Sequence, residues 1–277
     1  MKNAVIGHNR VALVTGGSSG IGLAVARLLA QAGSHVWLVA RQPERLADAL
    51  AEVNAARQSE AQLCGAIRAD VSDPAQAFAA VEQVVNEVGV PHLLVNSAGV
   101  TRPGYFPELS LEVFREMMDI NYFGILHMVK AVLPRMLRRG SGHIVNISSV
   151  AGFLSVFGYS AYSASKYAVV GFTDALRAEL RLQGIQVSIV YPLDVDTPQL
   201  AAEVPLRPPE TQALCEGLPV LSPEYVAAVI LRGVRRGQYV IVPNLVGKTL
   251  YWLIHPLNNI AFPVMDWIVR RSRKQAA

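Results

Sequence analysis

Short apolar runs alternate with amphipathic stretches along most of the chain. The apolar runs are continuous and rich in β-branched residues, a composition typical of strands that are buried on both faces of a parallel sheet. Seven such runs lie at 11–15, 35–40, 63–69, 92–96, 143–147, 186–191 and 239–242. The pattern therefore predicts seven strands in the interior of the protein.

The stretches between these runs have helical periodicity. In the first of them, Ile21, Val25 and Leu28 recur at spacings of three and four residues and form one apolar face, and Gly33 ends the helix. Further helices are predicted over 44–57, 74–88, 111–139, 160–182 and 223–235. Alternating strands and helices are typical of an α/β protein. They predict a doubly wound Rossmann fold, with a seven-stranded parallel sheet flanked by helices.

The alternation is not interrupted by a linker, an internal repeat or a low-complexity tract, so we expect a single domain over 1–277 with its Rossmann core at 8–244. Two segments depart from the pattern. Residues 193–222 contain five prolines and are predicted to be irregular. Because long irregular loops in compact domains commonly cover a binding site, we expect a substrate lid there. Residues 245–277 form an apolar C-terminal extension that ends in basic residues.

The C-terminal extension carries the net positive charge of the chain. Residues 241–277 hold five basic residues and one acid, whereas the two charges balance over the first 240 residues, so no nucleic-acid partner is predicted. The apolar runs within this extension are shorter than the roughly 18 residues that a membrane-spanning helix needs. Two interpretations remain open. Aromatic residues beside Lys and Arg suit peripheral contact with an anionic membrane, and they also suit packing on the core or on a second copy, in a homodimer or homotetramer.

The composition indicates a folded protein of the cytoplasm. If the C-terminal extension contacts a membrane, the protein would be located at the membrane surface. Hydrophobic residues make up 52% of the chain and charged residues 17%, which is enough apolar surface for a core. The first ten residues lack the apolar stretch of a secretory signal. Cys64 and Cys215 form no CxxC or Cys/His cluster, so we expect neither a disulfide nor a metal site. Both cysteines are predicted to be small buried hydrophobic residues.

A glycine-rich segment, TGGSSGIG at 15–22, joins the first predicted strand to the first predicted helix. Glycines in such a position allow a tight turn, and they let the backbone approach a pyrophosphate at the N-terminus of the helix. The placement between strand and helix is what makes the motif specific. A dinucleotide is therefore predicted to contact Gly16, Ser18, Ser19, Gly20, Ile21 and Gly22.

The end of the second predicted strand indicates which dinucleotide binds. A site for NAD carries an acidic residue there, which holds the ribose hydroxyls. This chain has Arg41 and Arg45 instead. Guanidinium groups pair well with a 2′-phosphate, so we predict NADPH and interpret the two arginines as its ligands rather than as solvated surface residues.

Four polar residues are candidates for catalysis. Tyr162 and Lys166 are four positions apart at the start of a predicted helix, so they share one face, and the lysine charge can favour the phenolate. Ser149 follows the fifth strand, at the edge where open parallel sheets bind ligands. Asn121 interrupts the apolar face of a long helix, where a polar side chain needs a partner or a function.

These motifs, in this order and at these spacings, resemble the short-chain dehydrogenase/reductase family over about residues 8–240. The residues that carry the resemblance are TGGSSGIG, Asp70-Val71, NSAG at 96–99, Asn121, Ser149 and YSASK at 162–166. The resemblance implies a strand order of 3-2-1-4-5-6-7. Two departures are the serine at position 97 and Leu193, which replaces the usual glycine after the sixth strand and affects the mouth of the substrate site.

The resemblance also implies roles for individual residues. Tyr162 would act as the acid, Lys166 would bind the nicotinamide ribose, Ser149 would polarise the carbonyl, and Asn121 would anchor a water of the proton relay. Asp70 and Val71 would flank the adenine. The implied cofactor contacts beyond the glycine loop are Asp70, Val71, Asn96, Ala98, Gly99, Tyr162, Lys166, Pro192, Val195 and Thr197.

Longer stretches at 39–46, 151–172 and 191–198 resemble the 3-ketodihydrosphingosine reductases. That resemblance implies NADPH-dependent reduction of 3-ketodihydrosphingosine to dihydrosphingosine, a lipophilic long-chain substrate of sphingolipid metabolism, at a membrane surface. A 3-oxoacyl-carrier-protein reductase and a hydroxysteroid-type dehydrogenase share the same framework and remain alternatives. A non-catalytic NADP(H)-binding sensor or scaffold is an alternative of a different class.

A sphingoid base carries an ammonium group next to the reacting ketone, so a selective site needs a carboxylate near the nicotinamide. Asp194 is the candidate, because it lies beside Val195 and Thr197, with Asp196 and Glu203 behind it. The alternative is that Asp194 only caps or turns its loop.

Overall fold

Seven strands form one parallel sheet in the computed structural model, which describes residues 5–255. The strands are β1 (Val11–Thr15), β2 (His35–Ala40), β3 (Cys64–Arg68), β4 (Leu93–Asn96), β5 (Gly142–Ile147), β6 (Ile185–Val190) and β7 (Val240–Ile241). Their order in the sheet is β3-β2-β1-β4-β5-β6-β7, with every pair parallel. The predicted sheet and the implied strand order are both confirmed.

Helices cover both faces of the sheet. Those of the described residues are α1 (Gly20–Gln31), α2 (Pro43–Ala55), α3 (Pro74–Val88), α4 (Leu111–Met118), α5 (Gly124–Arg139), α6 (Ser160–Leu180), α7 (Pro198–Glu203), α8 (Pro209–Cys215), α9 (Pro223–Arg235) and α10 (Leu245–Ile254). The core on one face is formed with α1, α2 and α9, and the core on the other with α3, α5 and α6. The doubly wound Rossmann architecture is thus confirmed.

The strands supply both cores because successive side chains point to opposite faces of a sheet. In β1, Leu13 packs in the core on the α5 side and Val14 in the core on the α1 side. Both side chains are completely buried. Burial of a side chain of this size contributes about 1.5–3 kcal/mol, so these continuous apolar runs hold the sheet between its helices.

The predicted helix over 111–139 is divided by a π-helical turn. α4 ends at Met118, the turn occupies Asp119–Phe123, and α5 continues from Gly124. Asn121 lies within this turn and is completely buried. A π turn inserts an extra residue into an otherwise regular helix and is frequent at functional sites.

Residues 193–222, which we call the lid, are more regular than predicted. They contain α7 and α8, and a proline occupies the first position of each helix, Pro198 and Pro209. Proline is well tolerated there because its fixed φ suits a helix and its missing N–H would have no helical partner. A parallel bridge between Val195 and Leu221 joins the two ends of the lid. Backbone bonds of 2.9 Å from Leu221 N to Asp194 O and from Asp196 N to Leu221 O reinforce that bridge.

The cysteines are free but not buried, contrary to the prediction. Cys64 is partly exposed because β3 is an edge strand of the sheet. Cys215 is partly exposed at the end of α8 and belongs to the lid. Burial of the remaining surface still raises the pKa of both thiols.

The helix α10 packs against the sheet through Tyr251 and Leu250 and presents other side chains outward. Tyr251 contacts Phe153 and Tyr191 at ring distances of 5.4 and 5.6 Å. In contrast, Leu245 and Leu253 are 77% and 72% exposed. Of residues 5–255, no helix combines the length and the apolarity that crossing a membrane requires. The basic cluster at 270–274 lies outside the described residues, so the single-domain division of 1–277 stays a prediction.

Candidate active site

A cavity of about 960 Å³ lies at the carboxyl ends of the central strands, where open parallel sheets bind ligands. Residues that follow β1 to β6 line it, together with α6 and the lid. The predicted site residues that it brings together are Gly16, Ser18, Ser19, Gly20, Ile21, Arg41, Arg45, Asp70, Val71, Ala98, Gly99, Ser149, Tyr162, Lys166, Pro192, Val195 and Thr197.

The glycine loop leaves no room for side chains. Gly16 has a φ of +64°, and a Cβ there would lie 2.7 Å from the backbone nitrogen of Ala98. A Cβ on Gly20, whose φ is +52°, would lie 2.8 Å from Cγ2 of Thr197. On Gly22 it would lie 2.3 Å from the carbonyl oxygen of Gly16. The loop is therefore closely packed between the segment after β4 and the start of the lid.

The N-terminus of α1 is suited to an anion. Ser19 makes no side-chain capping hydrogen bond, and no acidic residue lies in the first turn. Gly20 and Ile21 of that turn line the cavity. Uncapped amides and the positive end of the helix dipole favour a phosphate group. With the glycines, these features fit the pyrophosphate of a dinucleotide.

Arg41 and Arg45 lie at the nucleotide end of the cavity. Arg41 Nη1 lies 3.7 Å from Asp70 Oδ2, and its side chain is 51% exposed. An exposed pair at that distance contributes little to stability, since solvent screens it. The guanidinium group of Arg41 can therefore exchange this partner for a phosphate at small cost.

Two predicted cofactor contacts, Asn96 and Gly22, lie behind the cavity wall rather than in it. Asn96 is buried and donates from Nδ2 to Oδ1 of Asn146 at 2.9 Å, and Asn146 donates to Thr173 Oγ1 at 3.0 Å. This polar chain links β4, β5 and α6. Asn96 therefore supports the site, and Gly22 supports the turn by packing on Gly16.

Asn121 also lies behind the wall. Its Oδ1 accepts from Val100 N at 2.8 Å, and its Nδ2 donates to Val100 O and to Ser165 Oγ, both at 2.9 Å. Both amide hydrogens are thus used within the protein. The side chain therefore holds the loop after β4. The relay water implied by the resemblance would have to bind to the backbone carbonyl of Asn121 or to the second lone pair of Oδ1.

Tyr162 and Lys166 occupy successive turns at the start of α6. Lys166 is 5% exposed, and its Nζ donates to the carbonyl oxygen of Ile147 at 3.0 Å. The same nitrogen lies 5.5 Å from the centre of the Tyr162 ring. Burial lowers the pKa of Lys166 to about 8. The buried ammonium therefore faces the ring of Tyr162, as the shared helical face predicted.

The pKa of Tyr162 is raised, contrary to the expected preference for the phenolate. Burial is the main cause and the negative charge of Glu203 adds to it, while a hydrogen bond with Ser149 acts in the opposite direction. The phenol therefore keeps its proton at neutral pH. A protonated phenol beside Ser149 can give a proton to a ligand in the cavity.

Three charged residues of the lid and a tyrosine at the start of α6 form a cluster, which we call the lid cluster. It consists of Tyr159, Asp194, Glu203 and Arg207. Arg207 forms a two-point ion pair with Asp194, with Nη1 to Oδ2 at 2.8 Å and Nη2 to Oδ1 at 2.9 Å. Its Nη2 also lies 2.6 Å from Glu203 Oε1. The Tyr159 hydroxyl donates to the same Oε1. Tyr159 and Arg207 were not predicted from the sequence, although the four-residue spacing of Glu203 and Arg207 was a usable signal of an ion pair.

The predicted role of Asp194 needs correction. Both oxygens of its carboxylate are bonded to Arg207, so it is not the free negative charge that the sequence suggested. Asp196 is exposed and does not line the cavity. Glu203 does line it, and its side chain is 9% exposed.

The substrate end of the cavity is apolar. Leu193, which departs from the usual glycine, forms part of its wall, and Cys215 lies beside the lid leucines. Apolar walls with a few polar groups are typical of sites that bury a hydrophobic ligand. The apolar lining residues of this end are Leu154, Val156, Phe157, Leu193, Leu200, Leu206, Leu214, Leu218 and Leu250.

The family model for short chain dehydrogenase matches residues 10–206 of this chain. The chain belongs to the short chain dehydrogenase family. It is therefore an oxidoreductase that uses a nicotinamide cofactor and acts on a small molecule. The family predicted from the motifs is thus confirmed.

Relatives and solved structures agree with this assignment. The chain is 37% identical to the 3-dehydrosphinganine reductase of Danio rerio over 228 residues, covering 82% of this chain and 69% of that protein. It is 34% identical to the 3-ketodihydrosphingosine reductase of Dictyostelium discoideum over 268 residues, covering 92% and 80%. A short chain dehydrogenase/reductase of Burkholderia phymatum in complex with NAD matches with a TM-score of 0.80 and 28% identity, covering 94% of this chain and 97% of that one.

Proposed function

We propose that this short chain dehydrogenase uses NADPH to reduce the ketone of a long-chain substrate, converting 3-ketodihydrosphingosine to dihydrosphingosine. The observation that carries the proposal is the cavity, which connects the glycine loop and Tyr162 to an apolar end under the lid. The names of the two relatives support the choice of substrate. Arg41 and Arg45 at the nucleotide end support NADPH over NADH.

The chain's own residues would perform the proton transfer. NADPH, when bound, supplies the hydride. Ser149 donates a hydrogen bond to the carbonyl oxygen, and Tyr162 transfers its phenolic proton to that oxygen as the hydride reaches the carbon. The ketone gains one hydride and one proton and becomes a secondary alcohol. The ammonium of Lys166 stabilises the phenolate that Tyr162 becomes, until solvent returns the proton.

A substrate panel tests the proposal. We expect kcat/KM for a long-chain 3-keto-amine to exceed the values for 3-oxoacyl thioesters and for ketosteroids by about tenfold or more, because the apolar end and the lid accept one long chain. The measurement is NADPH oxidation followed by absorbance. Highest activity on thioesters or steroids would favour the carrier-protein or hydroxysteroid alternatives. Cofactor binding without turnover of any ketone would favour the sensor or scaffold.

We also propose that the enzyme contacts an anionic membrane through its C-terminal segment. On α10 the side chains of Leu245, Trp252 and Leu253 are exposed, and Leu214 of the lid is exposed as well. The basic cluster at 270–274 follows in the sequence. Exposed apolar and aromatic side chains combined with Lys and Arg suit the interface of an anionic bilayer.

Removal of residues 256–277 should weaken binding to anionic vesicles, and the loss should be largest at low salt, where the basic cluster is least screened. Ending the chain after His255 leaves Tyr251 and its aromatic contacts within the shortened protein. Co-sedimentation of full-length and shortened protein measures the effect, with neutral vesicles as the control. If the full-length protein ignores anionic vesicles and elutes as a dimer or tetramer, the segment packs on another copy instead.

A further inference from the structure

The lid cluster has an excess of negative charge. It contains two carboxylates, Asp194 and Glu203, and one guanidinium group, Arg207, so its net charge is −1 when Tyr159 is neutral. Burial and the bond to Glu203 both raise the pKa of Tyr159, so its hydroxyl stays protonated. The side chains of Arg207 and Glu203 are only 6% and 9% exposed. Unbalanced charge in a buried site is costly unless a partner is supplied.

The unmatched atom of the cluster is Oε2 of Glu203. The donors from Tyr159 and from Arg207 Nε and Nη2 all converge on Oε1. None of these bonds uses Oε2. Glu203 lines the cavity, so a ligand can reach this carboxylate. The geometry fixes the carboxylate through one oxygen and leaves the other available.

The cluster adjoins the proton donor. The rings of Tyr159 and Tyr162 are 5.8 Å apart, and Tyr159 is bonded directly to Glu203. The charge of Glu203 also contributes to the raised pKa of Tyr162, which places the two groups within electrostatic range. A cation bound at Glu203 would therefore lie beside the reacting carbonyl rather than at the far end of the lid.

We infer that Glu203, held in place by Tyr159 and Arg207, binds the ammonium group of an α-amino ketone and thereby selects it over neutral ketones. The inference rests on the proposed ketone reduction and adds a specificity-determining residue to it. An ammonium group offers hydrogen-bond donors and the positive charge that the cluster lacks. A neutral ketone leaves Oε2 of Glu203 without a donor and the cluster with its net negative charge, and that difference is the source of the discrimination.

The test compares a long-chain 2-amino-3-ketone with its N-acetyl derivative, which has lost the charge but keeps the ketone. Wild-type enzyme should prefer the free amine by about tenfold or more in kcat/KM. Glu203→Gln, which keeps the shape and an acceptor for Tyr159, should bring the ratio close to one. Glu210→Gln is the matched control, since Glu210 also accepts from a lid-side tyrosine, Tyr105, at 2.9 Å but does not line the cavity. It should keep the wild-type ratio.

The outcomes separate this inference from the proposed function. If wild-type enzyme reduces neither ketone, the proposed function is wrong and the inference falls with it. If it reduces both equally, or if Glu203→Gln keeps the preference, ketone reduction stands and the inference is overturned. Should Glu203→Gln fail to fold, inhibition of the wild type decides. A long-chain primary amine should inhibit reduction of a neutral ketone about tenfold more strongly than the corresponding alcohol, and equal inhibition would overturn the inference.

Discussion

Replacement of Tyr162 by Phe should lower kcat for ketone reduction by about a thousandfold and leave cofactor binding within a few-fold of wild type. A positioned general acid commonly contributes two to four orders of magnitude, and the variant removes only the hydroxyl that carries the proton. Because the ring remains, its contacts with Tyr159 and with the ammonium of Lys166 are kept. Steady-state turnover and cofactor titration by fluorescence measure the two effects separately.

The matched control is Tyr167→Phe. Tyr167 lies on the same helix but is 44% exposed and does not line the cavity, so its variant should turn over at the wild-type rate. Turnover by Tyr162→Phe within a few-fold of wild type would show that another group supplies the proton. The acid would then have to be sought elsewhere in the cavity.

Replacement of both Arg41 and Arg45 by Ala should weaken NADPH binding by about a hundredfold and change NADH binding by less than about threefold. Charge-assisted hydrogen bonds contribute about 1.5–3 kcal/mol each, and only NADPH offers the 2′-phosphate that would accept them. Dissociation constants for both nucleotides measure the difference. The loss for NADPH should also shrink as salt is added, since both arginines are exposed.

Arg68→Ala serves as the control for charge alone, because Arg68 is exposed at the end of β3 but does not line the cavity. It should leave both dissociation constants unchanged. Equal losses of affinity for NADPH and NADH in the double variant would mean that the arginines do not bind the 2′-phosphate. The proposal that NADPH is the cofactor would then lose its main support.

The central sheet could be predicted from the sequence because burial on both faces leaves a direct trace. Continuous apolar runs are typical wherever helices cover both sides of a strand, and β1, β2 and β4 carry such runs. The edge strand β3 is the exception, since Ile67 is its one buried residue. The strand order left no such trace, and it came from the resemblance of the motifs to a known family. The π turn at Asp119–Phe123 was not visible either, since one inserted residue hardly changes the periodicity of a long helix.

The lid shows where local patterns stop being informative. Pro198 and Pro209 suggested irregular backbone, yet each starts a helix, and the distinction depends on capping geometry that the composition does not reveal. Pairing across the lid was equally hidden. Asp194 and Arg207 are thirteen positions apart and meet only because α7 folds back over the cavity. A carboxylate can be located in the sequence, but its state of pairing depends on tertiary structure.

Because of the bridge between Val195 and Leu221, the segment that contains α7 and α8 is an exchangeable module. Its two ends are held side by side next to the sheet, so the entropy of closing the intervening chain depends only weakly on its length. Segments of different length and composition can therefore replace 198–220 without altering the strands or the glycine loop. Exchange of this one module can therefore change substrate preference while Ser149, Tyr162 and Lys166, which lie outside it, keep their positions.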